Sequence, residues 1–170
     1  MKVAVIGGFT LDVNEYHGRV REGVGGPPHY ISRVLPLSGV ELIIISTVGR
    51  DFPSEYLTGL CASRNVSCFI EEAESPNIRF RNIYSSSGER IQYADKAGYM
   101  IDVSNILDIL GDMDFIIISP VLNEVSLDTI SILRNLSRVA VDPQGFLRSI
   151  DEDGRVRLES CLLYTSPSPR

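Results

Sequence analysis

Apolar residues come in short unbroken runs along this chain, separated by polar, glycine-rich and proline-rich stretches. Val3-Ala4-Val5-Ile6 ends in Gly7-Gly8, Leu42-Ile43-Ile44-Ile45 lies inside Val40–Val48, and Phe115-Ile116-Ile117-Ile118 halts at Ser119-Pro120. A run without polar alternation predicts a strand covered on both faces. Val66–Ile70 and Val139-Ala140-Val141, closed by Asp142-Pro143, predict two further strands. Between the runs the apolar spacing becomes helical. Ile31, Val34 and Leu35 follow Gly25-Gly26-Pro27-Pro28 and stop at Pro36 and Gly39. Tyr56, Leu57, Leu60 and Cys61 share one face of a helix starting near Pro53. Val103–Leu110 and the set Leu127, Ile130, Leu133 and Leu136 predict two more. Strands alternating with helices imply a mostly parallel sheet with helices on both sides, an α/β fold.

The middle of the chain breaks this rhythm. Ile78–Tyr84 alternates at period two, Arg90–Ala94 does so less cleanly, and Ser85-Ser86-Ser87-Gly88 joins them. That pattern predicts a half-buried antiparallel hairpin with one polar face. Thr10–Glu15 is a polar stretch just past the first strand, and Tyr16–Val24 suits another strand. Asp151–Gly154 is a turn, and Arg155–Leu158 starts a last strand.

Composition narrows the reading. The 170 residues carry a formal net charge of -6 with no basic cluster, which argues against nucleic acid as the main partner. No apolar run reaches the roughly 18 residues of a membrane span, and the N-terminus is too short for a signal peptide, so a cytoplasmic location is expected. Cys61, Cys68 and Cys161 match no metal spacing, and Cys61 and Cys68 read as small core residues. Two glycosylation patterns, Asn65-Val66-Ser67 and Asn135-Leu136-Ser137, read as chance. His17 and His29 stand alone, and no metal site is assigned.

In open α/β sheets, ligands sit beyond the carboxyl ends of the strands. That rule selects Asp12 and Asn14 after the first strand, Glu124 after Phe115–Ile118, and Asp142, Gln144 and Arg148 at or after Val139–Val141. Gly25 and Gly26 add a turn where a ligand can approach the backbone. Carboxylates, amides and free N–H groups suit a polyhydroxylated ligand. Each residue also has a structural reading: Asp12 as a turn residue, Asp142 as a loop start, Glu124 as a helix cap, Arg148 as a solvated side chain. There is no phosphate-binding G-x-x-x-x-G-K-[ST] loop. The opening Val3–Gly8 suggests a dinucleotide site, but Gly7–Asp12 is not G-x-G-x-x-G.

Together, Asp12 with Asn14, Gly25-Gly26 opening a helix, Ser46–Asp51, the polar hairpin 77–94, Pro120–Glu124 and Val141–Arg148 resemble the ribokinase/PfkB family of carbohydrate kinases. The match covers about residues 1–158. The resemblance implies a ribokinase-like three-layer α/β/α sandwich, with a β-hairpin lid at about 76–95 that closes on the substrate and pairs two copies of the chain. Asp12, Asn14, Gly25 and Gly26 would hold acceptor hydroxyls. Arg79, Asn82, Arg90 and Gln92 of the lid would contact substrate or partner, and Glu124 would form the floor. Asp142, Gln144 and Arg148 would approach the transferred phosphate. The implied chemistry is transfer from ATP, with Mg²⁺, to a hydroxyl of a sugar, inositol or nucleoside.

The family's D-T-x-G-A-G-D segment, which carries the catalytic base, does not occur here. Residues 161–170 resemble the translation of a transposase-end sequencing adapter. The expectation is therefore residues 1–160 of one kinase domain, holding the substrate-binding half without the base, then a non-native tail. The alternatives are a dinucleotide-binding domain of an oxidoreductase and a non-catalytic sugar-binding domain.

Overall fold

The structure is a computed structural model that describes residues 1–95 and 98–159, so the adapter-like tail lies outside the described residues. β1 (Lys2–Ile6) leads into a hairpin of β2 (Thr10–Tyr16) and β3 (Arg19–Gly25), followed by α1 (Pro27–Val34). β4 (Glu41–Gly49), α2 (Ser54–Cys61) and β5 (Val66–Ala73) come next, then a second hairpin of β6 (Arg79–Tyr84) and β7 (Arg90–Ala94). α3 (Leu107–Gly111), β8 (Phe115–Ile118), α4 (Leu127–Leu133) and β9 (Arg138–Val141) resume the alternation. α5 (Gln144–Leu147), β10 (Arg148–Ile150) and β11 (Val156–Leu158) follow.

The apolar runs become a five-stranded parallel sheet in the order β5-β4-β1-β8-β9. The pleat sends alternate residues to opposite faces. Val3 and Val5 pack with Leu42, Ile44, the α1 and α2 residues Ile31, Tyr56 and Leu60, and Leu35 just past α1. Ala4 and Ile6 pack with Ile116, Ile118 and the α3 and α4 residues Leu110, Ile130 and Leu133. This is the three-layer α/β/α arrangement expected from the alternation. Two helical spacings hold only in part, since Val34, Leu127 and Leu136 are exposed. β9 forms as expected and is an edge strand, with Arg138 and Val141 exposed.

The lid is larger than the sequence predicts. The expected hairpin forms, but it is half of a four-stranded sheet in the order β3-β2-β6-β7. The polar stretch Thr10–Glu15 is therefore itself a strand. β2 turns into β3 at His17-Gly18, both with positive φ (49° and 72°), as a tight two-residue hairpin requires. β2 then pairs in parallel with β6.

Cys61 and Cys68 correct a second expectation. They are not two separate core thiols but a disulfide, with Cα atoms 5.7 Å apart. The turn after α2, with Asn65 at φ 62°, folds β5 back against the helix end.

Candidate functional site

Three elements meet above the carboxyl edge of the central sheet: the inner face of the lid, the start of α1, and the segment after β8 and β9. They enclose a cavity of about 460 Å³. Asp12, Asn14, Gly26, Asn82, Arg90, Gln92, Asp142, Gln144 and Arg148 line it, nine of the residues singled out from sequence. Thr10, Tyr30, Phe80, Tyr84 and Ser119 also line it and were not anticipated.

Strand register explains which lid residues face inward. Asn14 lies beside Asn82, and Asn82 opposite Gln92, so the three share one face. They form a ladder: Asn82 Nδ2 donates to Asn14 Oδ1 at 3.0 Å, and Gln92 Nε2 donates to Asn82 Oδ1 at 2.8 Å. This leaves the Asn14 amide donors and the Gln92 carbonyl oxygen for a ligand. Arg79, three residues before Asn82, faces the other way. It pairs with Asp51 and does not line the cavity.

Gly25 and Gly26 serve the site through the backbone. A Cβ on Gly25 would overlap the Asp12 carboxylate and the Thr10 hydroxyl. Gly26 has φ 90°, and a Cβ there would meet the Gly8 carbonyl oxygen. Gly25 thus holds Asp12 in place without lining the cavity itself.

Asp12 is the least satisfied group. Its Oδ1 is buried with no hydrogen-bond partner. Burial pushes its carboxyl above the usual range, while the Thr10 hydroxyl, Arg148 and Arg90 pull the other way. Asp142 is held by the Ser119 hydroxyl at 3.0 Å and the Gln144 N–H at 3.0 Å, so it both starts its loop and faces the cavity. Arg148 opens β10 and donates to the Val121 carbonyl at 2.9 Å. Its guanidinium lies 5.1 Å from the Phe80 ring centroid. Burial and the nearby Arg90 lower its pKa, opposed by Asp142, Glu124 and Asp12.

Glu124 does not reach the cavity. Fully buried, it accepts N–H bonds from Gly8, Val121 and Leu122 at 2.7 to 3.1 Å. Burial pushes its carboxyl up, and these N–H bonds oppose the shift. It braces the floor rather than touching a ligand there, and it is not the cap of α4, which is Ser126. This bond also occupies the Gly8 N–H that a dinucleotide phosphate would need. β1 moreover runs into a lid strand instead of a helix, so the dinucleotide geometry is not formed.

Asn77 anchors the lid to the core. Its Oδ1 accepts from the Gly49 N–H and the Tyr99 hydroxyl, and its Nδ2 donates to the Phe9 and Ile78 carbonyls. Burial of the Tyr99 phenol pushes its pKa up to about 12. Among the described residues, no group of three or more His, Cys, Asp or Glu side chains is placed to hold a metal ion.

No protein-family model matches the sequence, and no curated protein matches it. Solved structures do. The chain aligns with a sulfate complex of a pyrophosphate-dependent kinase in the ribokinase family at TM-score 0.76 and 22% identity, over 92% of this chain and 55% of that one. It aligns with ribokinase from Giardia lamblia at TM-score 0.64 and 14% identity, over 82% of this chain and 50% of that one. A carbohydrate kinase from Agrobacterium tumefaciens gives TM-score 0.61 and 20% identity, over 82% and 52%. The chain thus has a ribokinase-like fold and spans about half the length of these structures.

Proposed function

We propose that this chain is the acceptor-binding part of a carbohydrate kinase of the ribokinase/PfkB type, which transfers a phosphoryl group to a hydroxyl of a sugar or related polyol. The observation that carries this reading is the convergence of Asp12, Asn14, Asn82, Gln92 and Asp142 on one cavity beneath a lid. The free Asp12 oxygen accepts a hydroxyl hydrogen, and the amide ladder donates and accepts around the ring. Such chemistry rests on positioning and charge neutralisation. ATP with Mg²⁺ is the donor pair of this reading. Pyrophosphate is the second reading of the donor, favoured by the likeness to a pyrophosphate-dependent kinase.

A cytoplasmic setting and a lid-to-lid homodimer belong to the same proposal. No described helix is long and apolar enough to cross a membrane. The outer lid face carries the cross-strand row Val20, Glu15, Ile83 and Ile91, with Val20 and Ile91 exposed. In a reducing cytoplasm the Cys61–Cys68 pair would be held as thiols.

The test is calorimetric titration of the chain with neutral sugars and inositols, alongside a phosphoryl-transfer assay with ATP and with pyrophosphate. The expected result is saturable binding that Asp12→Ala weakens, without turnover by the chain alone. A panel in which no sugar or polyol binds sinks the reading.

A further inference from the structure

The lid face over the cavity changes character along its length. Asp12 and Phe80 form its deep row, and Asn14, Asn82 and Gln92 the middle one. At the tip, register sets Arg19 opposite Tyr16 and Arg90 opposite Tyr84, and Arg21 lies opposite Asn14. The Tyr16 and Tyr84 rings, 6.4 Å apart, bridge the two arginine positions. Cationic side chains therefore flank the entrance of a site whose depth is carboxylate and amide.

These guanidiniums lack the partners that the outer face provides. Arg79 and Arg81 pair with Asp51 and Glu15. Among the described residues Arg19, Arg21, Arg90 and Arg148 form no ion pair. Arg148 is only 8% exposed, with one hydrogen bond, to a carbonyl. A cation so far out of water without a carboxylate within pairing distance is costly unless something else neutralises it. Arg90 is near enough to repel it. Asp142, Glu124 and Asp12 attract this charge from a distance, but none of them forms an ion pair with it. Asp12, with one oxygen free, suits a hydroxyl instead.

We infer that the acceptor carries its own anionic group, a phosphate monoester or a carboxylate, seated between Arg90 and Arg148, with its hydroxyl end on Asp12. This rests on the kinase reading above and narrows its substrate class to charged polyols. Charge-assisted hydrogen bonds to guanidinium are about twice as strong as neutral ones and read planar anions in bidentate fashion.

The experiment is calorimetric titration of the full chain with a neutral hexose, its 6-phosphate, its aldonate and inorganic phosphate. The expected result is binding of one charged form about tenfold or more tighter than the neutral parent, the difference set by one charge-assisted contact. The phosphate and aldonate arms decide which anion the site takes. Arg90→Gln should bring the charged ligand down to the affinity of the neutral one, whereas Arg81→Gln, on the outer face, should leave the preference intact. Equal affinity for neutral and charged sugars overturns the inference and leaves the kinase reading standing. So does a preference that survives Arg90→Gln, or inorganic phosphate binding as tightly as the sugar phosphate. If no sugar binds in any form, both fall together.

Discussion

The central sheet and the lid sheet are built from strands of similar length, yet they bury opposite surfaces. In the central sheet Val5, Ile6, Ile44, Ile116 and Ile118 are fully buried, and helices cover both faces. In the lid, β2 buries only Thr10, and the first five residues of β3 are exposed. The lid draws its order from cross-strand amides, the Asn77 anchor and a small apolar cluster at its base, where Phe80 and Ala94 pack with Ile78, Val121 and Leu122. Stability and recognition therefore reside in different sheets, and a substitution can be aimed at one.

The largest effect should come from the central sheet. Ile44→Ala should cost about 4 kcal/mol, the usual range for a fully buried Ile or Leu, read by urea denaturation. If the ligand-free lid melted separately at an unchanged midpoint, the lid would be more independent than its contacts imply. Reducing Cys61–Cys68 should come next. Closing so short a loop contributes about 2 kcal/mol, and the pair lies outside the cavity, so thermal stability should fall with ligand affinity unchanged. A drop in affinity on reduction would break the division between the sheets.

Asp12→Asn should give the smallest stability change, and one of opposite sign. Burial raises the folded-state pKa of Asp12 above its ordinary 3.8. Its contribution to stability is then greatest below that value and is lost as pH rises through the raised folded value. At neutral pH the neutral amide should melt slightly higher than the wild type, with the gain vanishing in acid. Ligand affinity should nevertheless fall about tenfold, as for any lost hydrogen bond to a charged group. A variant that loses stability at neutral pH, or keeps full affinity, would show that Asp12 is held for packing.

The central sheet was legible because its strands are unbroken apolar runs, which have few other homes. The place of β9 at the edge was not legible, because an edge strand has the same composition as an interior one. The β2–β3 hairpin was obscured by its function: a strand whose inner face is Thr10, Asp12 and Asn14 looks like a loop. His17-Gly18, a two-residue turn between alternating segments, was the signal that marks it. Residue parity alone also separates Arg79 from Asn82, since positions three apart cannot share a strand face. The burial of Glu124 had no such signal, because a carboxylate folding back onto its own loop leaves no periodic trace.

The pairing of β2 with β6 joins residues 68 apart, as in Asn14 with Asn82. Loops of that size close late, after the contacts that bring their ends near. During synthesis Asp12 thus emerges long before the strand that completes its surroundings, and the first hairpin waits with one ladder edge open. The interior waits longer still, since Val3 gains Phe115 beside it only once β8 has emerged, so both sheets hold an edge open through much of synthesis.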